Sequence, residues 1–157
     1  MATTLNVLVI EDSEEDTLLM VRELTKAGYS VKFEQAHSAA TLAAALSKGG
    51  WDIIFSDFTL PGFSGTAALA QVRKYDSEVP FIFTSGTIGE DTAVAAMRTG
   101  ADDYVMKNNL KRLVPAVERA LREVSGRRAR RRAQRPETSR SARSTAGTRR
   151  FKLFFMT

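Results

Sequence analysis

The sequence predicts an α/β fold, a doubly wound parallel sheet of five strands with helices on both faces. Three observations carry that expectation. Short apolar runs alternate with amphipathic stretches up to about residue 125, and strand-helix alternation with short connections is the pattern of a parallel sheet with right-handed crossovers. The run Ile53-Ile54-Phe55 is apolar without alternation, as suits a central strand covered on both faces. Four of the five runs end on polar residues where the chain turns, and in such sheets chemistry gathers outside the carboxyl ends of the strands.

The first strand runs from Leu5 to Ile10, interrupted only by Asn6, and ends on Glu11-Asp12. Ser13 followed by Asp16 approximates a capping box, and Glu14 and Glu15 add charge that suits a helix N-terminus. The first helix then has Leu18, Val21, Leu24 and Ala27 as its apolar stripe and Gly28 as its stop. Val31 to Ala36 alternates as a second strand. Ser38 caps an Ala-rich helix from Ala39 to Lys48, which Gly49-Gly50 ends. The third strand delivers Asp57 to a loop, because Pro61 lacks a donor and Gly62 and Gly65 favour turns. A third helix near Thr66 to Tyr75 carries Ala67, Leu69, Ala70 and Val72. Pro80 introduces the fourth strand, Phe81 to Thr84, which ends on Ser85-Gly86 and runs into a helix from about Glu90 to Thr99. Asp103 to Met106 is the fifth strand, ending on Lys107. The last helix runs through Leu113, Val117, Leu121 and Val124, with its start left open by Pro115.

Length and composition allow one core and an appendage. A chain of 157 residues, 43% hydrophobic, is too short for two full-sized domains. The expected division is a domain over residues 1–125 and an Arg-rich tail or linker over 126–157, expected to be disordered. With no cysteine, disulfides, thiolate catalysis and cysteine metal sites are excluded, which is compatible with a reducing compartment; a cytoplasmic location is expected. The first residues read as neither a signal peptide nor a membrane span. The net charge of +5 conceals an asymmetry: residues 1–125 hold 12 Lys+Arg against 17 Asp+Glu, whereas 126–157 hold 11 against 1. The basic balance therefore describes the tail and says nothing about the folded body.

Glu11, Asp12, Asp57, Ser85 and Lys107 all stand at strand ends. Any one of them is ordinary, since a carboxylate there can cap a helix and a lysine can be a solvated charge. Taken together, three carboxylates would repel one another and raise their own pKa values unless a cation sat among them. Mg²⁺ fits, because it takes oxygen ligands and keeps waters that a phosphate can replace. A lysine and a hydroxyl facing the same point supply donors for phosphoryl oxygens, and Asp57 would be the nucleophile that forms an aspartyl phosphate.

The sequence resembles the receiver domain of bacterial two-component response regulators over roughly residues 4–125. The match is carried by Glu11-Asp12, by Asp57-Phe58-Thr59-Leu60-Pro61-Gly62 with Gly65 behind it, and by Gly100-Ala101-Asp102-Asp103-Tyr104-Val105-Met106-Lys107. The resemblance implies a flavodoxin-like sheet of order 2-1-3-4-5. It implies Asp57 as phospho-acceptor, Asp12 and Asp57 as direct Mg²⁺ ligands, Glu11 acting directly or through water, and the backbone carbonyl of Thr59 completing the metal site. Lys107 would pair with the phosphoryl group, and Ser85 would turn toward it as Tyr104 moves inward. The family's spacing from the Pro that opens strand four selects Ser85 and leaves Thr84 inside the strand. Asn108 stands where the family usually has Pro, so a trans peptide is expected there. Implied partners are a histidine kinase or phosphotransfer protein and a downstream protein. A dimer through helix four, strand five and helix five is open as well.

The stretch Thr84-Ser85-Gly86-Thr87-Ile88-Gly89-Glu90 and the run Lys107-Asn108-Asn109-Leu110 look like receivers joined to sensor kinases. Two other readings stay open. A pseudo-receiver would bind partners without phosphorylation, and an aspartate-nucleophile phosphatase would need a second acid where Thr59 stands. Beyond its own phosphorylation and dephosphorylation, the chain reads as no conventional enzyme. Met97 and Phe63 read as packing, His37 as surface, and Trp51 as packing at the sheet edge. In the tail, Arg127, Arg128, Arg130, Arg131, Arg132 and Arg135 read as a solvated linker, with attachment to nucleic acid or an anionic membrane as the competing reading. No specific nucleic-acid partner is expected. Residues 149–155 faintly resemble the entry to a PAS sensor domain.

Overall fold

The computed structural model describes residues 2–86 and 90–133. In chain order the elements are β1 (Thr3–Ile10), α1 (Glu14–Lys26), β2 (Tyr29–Ala36), α2 (Ala39–Lys48), β3 (Ile53–Asp57), β4 (Thr59–Leu60), β5 (Phe63–Ser64), α3 (Gly65–Tyr75), β6 (Phe81–Ser85), α4 (Glu90–Arg98), β7 (Asp103–Met106), a 3-10 turn at Leu110–Arg112, and α5 (Leu113–Ala133). The main sheet is five-stranded and parallel in the order β2-β1-β3-β6-β7, which is the expected 2-1-3-4-5 once β4 and β5 are set aside.

Alternation along each strand sorts the core into two layers. Leu8, Ile10, Ile54, Phe81 and Phe83 pack with Leu42, Leu46, Leu69, Val72 and Ala96 of α2, α3 and α4. Val7, Val9, Ile53, Phe55 and Ile82 pack with Met20, Leu24, Leu113 and Val117 of α1 and α5. All five residues of β3 are buried, as are all five of β6. These strands form the rigid centre, where each buried Phe or Ile contributes about 1.5–3 kcal/mol of burial free energy.

Several local expectations change. The buried positions of α1 are Thr17, Met20 and Leu24, not the stripe through Leu18 and Val21; Leu18 is 50% exposed. Leu24 is buried as expected, but the expected steps of three drift around the helix, whereas Thr17, Met20 and Leu24 step by three and four and stay on one face. Met97 is also exposed rather than packed. Between β3 and α3 the chain forms the antiparallel pair β4–β5, whose turn uses Pro61 and a Gly62 at φ +68°, the left-handed conformation glycine adopts without strain.

The Arg-rich segment does not begin as an unstructured one. α5 continues to Ala133, so residues 126–133 are helical. Arginine and alanine are good helix formers, and basic residues suit a helix C-terminus. The last buried residue of that helix is Val124, and by contacts the chain divides after it into Met1–Val124 and Ser125–Thr157. Expectations for Thr87-Ile88-Gly89 and for residues 134–157, including the PAS-like stretch, lie outside the described residues.

Candidate functional site at the carboxyl edge of the sheet

The strand register places four chain turns side by side. Ile10 pairs with Ser56, Asp57 with Thr84, and Ser85 with Met106. Glu11 directly after β1, Asp57 ending β3, Ser85 ending β6 and Lys107 directly after β7 are therefore brought to one edge. Backbone hydrogen bonds hold the turns in register past the strands: Glu11 N donates to Ala36 O at 2.8 Å, Phe58 N to Thr84 O at 2.9 Å, and Lys107 N to Ser85 O at 2.8 Å.

The carboxylates converge as expected. Glu11, Asp12 and Asp57 each offer an oxygen, and these lie within 4.8 Å of one another. Glu11 and Asp57 are buried while Asp12 is exposed. Lys107 closes the group: its Nζ lies 3.0 Å from Asp57 Oδ2 and 2.8 Å from Glu11 Oε1. The Asp57 contact is a hydrogen bond, whereas Glu11 Oε1 has close ion-pair contact but no hydrogen-bond partner. The other Asp57 oxygen accepts from Thr59 N at 3.1 Å.

This donor set fits a hard divalent cation. It consists of carboxylate oxygens, one of them buried without a hydrogen-bond partner, and it carries more negative charge than one ammonium cancels. Burial pushes the Glu11 carboxyl above its ordinary pKa, against the lowering pull of Lys107. Burial alone would lower Lys107, but its close contacts with the carboxylates of Asp16, Glu11 and Asp57 reverse the sign and hold the ammonium above the ordinary lysine value. The lysine is thus a fixed positive charge.

The remaining predicted residues divide. Ser85 and Tyr104 are both buried, the tyrosine behind Phe58, whose ring packs edge-on to Tyr104 at 6.4 Å and to Phe83 at 5.0 Å. Thr59 meets the site through its N–H. The peptide after Lys107 is trans. Gly65 is fixed by space: a Cβ there would lie 2.7 Å from the Asp57 carbonyl and 2.8 Å from the Phe58 backbone.

Sequence reasoning missed Asp16, which contacts Lys107 Nζ at 2.8 Å through Oδ2. It had been assigned to a capping box that is only half formed. Ser13 Oγ accepts from Asp16 N at 3.1 Å, but the Ser13 N–H goes to Glu11 Oε2 at 3.1 Å. The available signal was the density of acids between Glu11 and Asp16, more than a helix cap needs.

An open parallel sheet with an acidic cluster and a lysine at its carboxyl edge defines a receiver-type α/β domain. The chain belongs to the response regulator receiver domain family, whose model matches residues 7–118, and receiver domains of two-component systems interact with histidine kinases. Among its relatives, the uncharacterized transcriptional regulatory protein YkoG of Bacillus subtilis is 32% identical over 119 residues, covering 75% of this chain and 51% of YkoG. The sensory transduction protein RegX3 of Mycobacterium tuberculosis is 33% identical over 118 residues, covering 74% of this chain and 51% of RegX3. The chain thus spans about half the length of these relatives. The crystal structure of NtrX from Brucella abortus superposes with a TM-score of 0.75 at 28% identity, over 94% of this chain and 33% of NtrX. Among the described residues, no helix is long and apolar enough to cross a membrane.

Proposed function

We propose that the chain is a phosphorylation-dependent switch of a two-component relay, in which Asp57 accepts a phosphoryl group from the phosphohistidine of a histidine kinase or phosphotransfer protein. The observation that carries this reading is Lys107, an ammonium held 3.0 Å from Asp57 Oδ2 and 2.8 Å from each of two further acids, Glu11 and Asp16. An Asp57 oxygen attacks phosphorus; the new O–P bond forms as the donor's N–P bond breaks, and the electron pair leaves on the imidazole nitrogen. Lys107 then faces a phosphoryl oxygen in place of the carboxylate.

Asp12 and Asp57, with Glu11 and the Thr59 carbonyl, would hold Mg²⁺, which when bound offsets the charge on the phosphoryl oxygens. Ser85 and Tyr104 are the switch pair, supported by the burial of Ser85 at the end of β6 and of Tyr104 within β7. A phosphoryl group biases two states only through contacts that differ between them, and the Ser85 hydroxyl supplies one. The readout surface is α4, β7 and α5, supported by the exposed apolar side chains Val94 and Met97 on α4; a downstream protein or a second copy would dock there. This reading sets the chain in the cytoplasm, with its donor.

Incubation with acetyl phosphate and Mg²⁺ should give an acid-stable, hydroxylamine-labile increment in mass. Asp57→Asn should abolish it, and chelating the metal should suppress it in the parent. Equal labelling of Asp57→Asn would overturn the site. Absence of labelling in the parent would favour a receiver that works without phosphorylation.

A further inference from the structure

We infer that Asp16 is a positioning residue that tethers Lys107 toward α1 and so restrains phosphorylation of Asp57; this rests on the phospho-acceptor reading. The tether follows from how the start of α1 is wired. An acid three residues after the N-cap serine ordinarily turns back to the N-cap N–H. Here that N–H is taken by Glu11 Oε2 at 3.1 Å, leaving the Asp16 carboxylate available to Lys107. Asp16 itself is held firmly, since its N–H donates to Ser13 Oγ at 3.1 Å. The pair borders a small open cleft also lined by Leu19, Met20 and Leu110, where the Asp16 side chain is 34% exposed and that of Lys107 20%, so solvent screens the contact in part.

The consequence is a competition for one flexible cation. Lys107 Nζ is 2.8 Å from Asp16 Oδ2 and 3.0 Å from Asp57 Oδ2. A phosphoryl group on Asp57 puts its oxygens beyond the carboxylate, so the ammonium must move to meet them and lengthen its charge-assisted bond to Asp16. Asp16 also adds a fourth negative charge at a site an anionic donor has to enter. Both effects oppose phosphorylation; an amide of the same shape removes the charge and leaves at most a weaker hydrogen bond to a neutral oxygen.

The test uses the full chain, with Asp16→Asn against Glu15→Gln, an exposed acid on the same helix turn that removes the same charge. The initial rate of labelling by acetyl phosphate should rise roughly three- to tenfold in Asp16→Asn and stay within about twofold of the parent in Glu15→Gln. Asp16→Glu should return the rate toward the parent's. Without donor or metal, the Lys107 Cε resonance should shift in Asp16→Asn and stay in place in Glu15→Gln. An unchanged or slower rate in Asp16→Asn, an equal gain in Glu15→Gln, or an unmoved Lys107 resonance would each overturn the tether while leaving the acceptor reading intact. A parent that does not label at all would remove both.

Discussion

Thr84 and Ser85 are adjacent hydroxyls at the end of β6 with opposite circumstances. Both are buried, and among the described residues Thr84 Oγ1 has no hydrogen-bond partner. Burying a hydroxyl without a partner costs about 1–3 kcal/mol, while a valine of the same shape costs none of it. Thr84→Val should therefore stabilise the fold by about 1 kcal/mol, read as a higher denaturant midpoint at constant slope, and should leave Asp57 labelling unchanged. Stability falling by that amount would mean the hydroxyl has a bound-water partner. Ser85→Ala should instead leave labelling in place while weakening the shift of amide resonances across α4, β7 and α5 that a phosphate analogue induces. Silence of those residues in the parent would refute the switch assignment. The sequence alone separated these two hydroxyls only through the family's spacing, since strand periodicity fixes alternation but not which residue of a turn faces a neighbouring strand end.

At the scale of elements, strands and helix stops were legible and faces less so. α2 begins and ends where Ser38 and Gly49 predicted, because its capping box with Thr41 is a local signal and both reciprocal bonds form. β7 matches as well. In α1 the expected stripe meets the buried face only at Leu24, because Thr17, a polar residue, is fully buried while Leu18 and Leu19 face solvent, and tertiary packing decides that choice. The β4–β5 pair was visible only as turn chemistry, since two-residue strands have no period to detect. The reach of that hairpin into the site can be tested at Gly65. An added Cβ would stand 2.7 Å from the Asp57 carbonyl and 2.8 Å from the Phe58 backbone, and backbone cannot step aside as a flexible side chain can. Gly65→Ala should cost about 1–3 kcal/mol by overpacking and slow Asp57 labelling as well. Gly28→Ala, with open space but a φ of +105°, should destabilise through backbone strain without slowing labelling. Equal effects of the two on labelling would show that the loss at Gly65 is only one of stability.

For the whole molecule, the charge asymmetry is the property that no single element explains. The folded body carries more acid than base and the residues from 126 onward carry 11 Lys+Arg against 1 acid. Arg127, Arg128, Arg130, Arg131 and Arg132 fall on the helical continuation of α5, which concentrates charge along one rod instead of spreading it over a coil. Such a rod attracts any polyanion, and the attraction weakens steeply with salt because it rests on released counterions. It carries no base-reading chemistry that the described residues reveal. The relatives YkoG and RegX3 extend to about twice the length matched here, so their names describe more than this receiver. The full chain should be retained on DNA and on heparin alike at low salt and released from both by about 0.2 M salt. A chain ending at Ser125 should pass through both columns and still label at Asp57, because every residue of the site lies before α5. Preference for one DNA sequence that persists at physiological salt would contradict this, since phosphate contacts fix position and only base contacts select sequence.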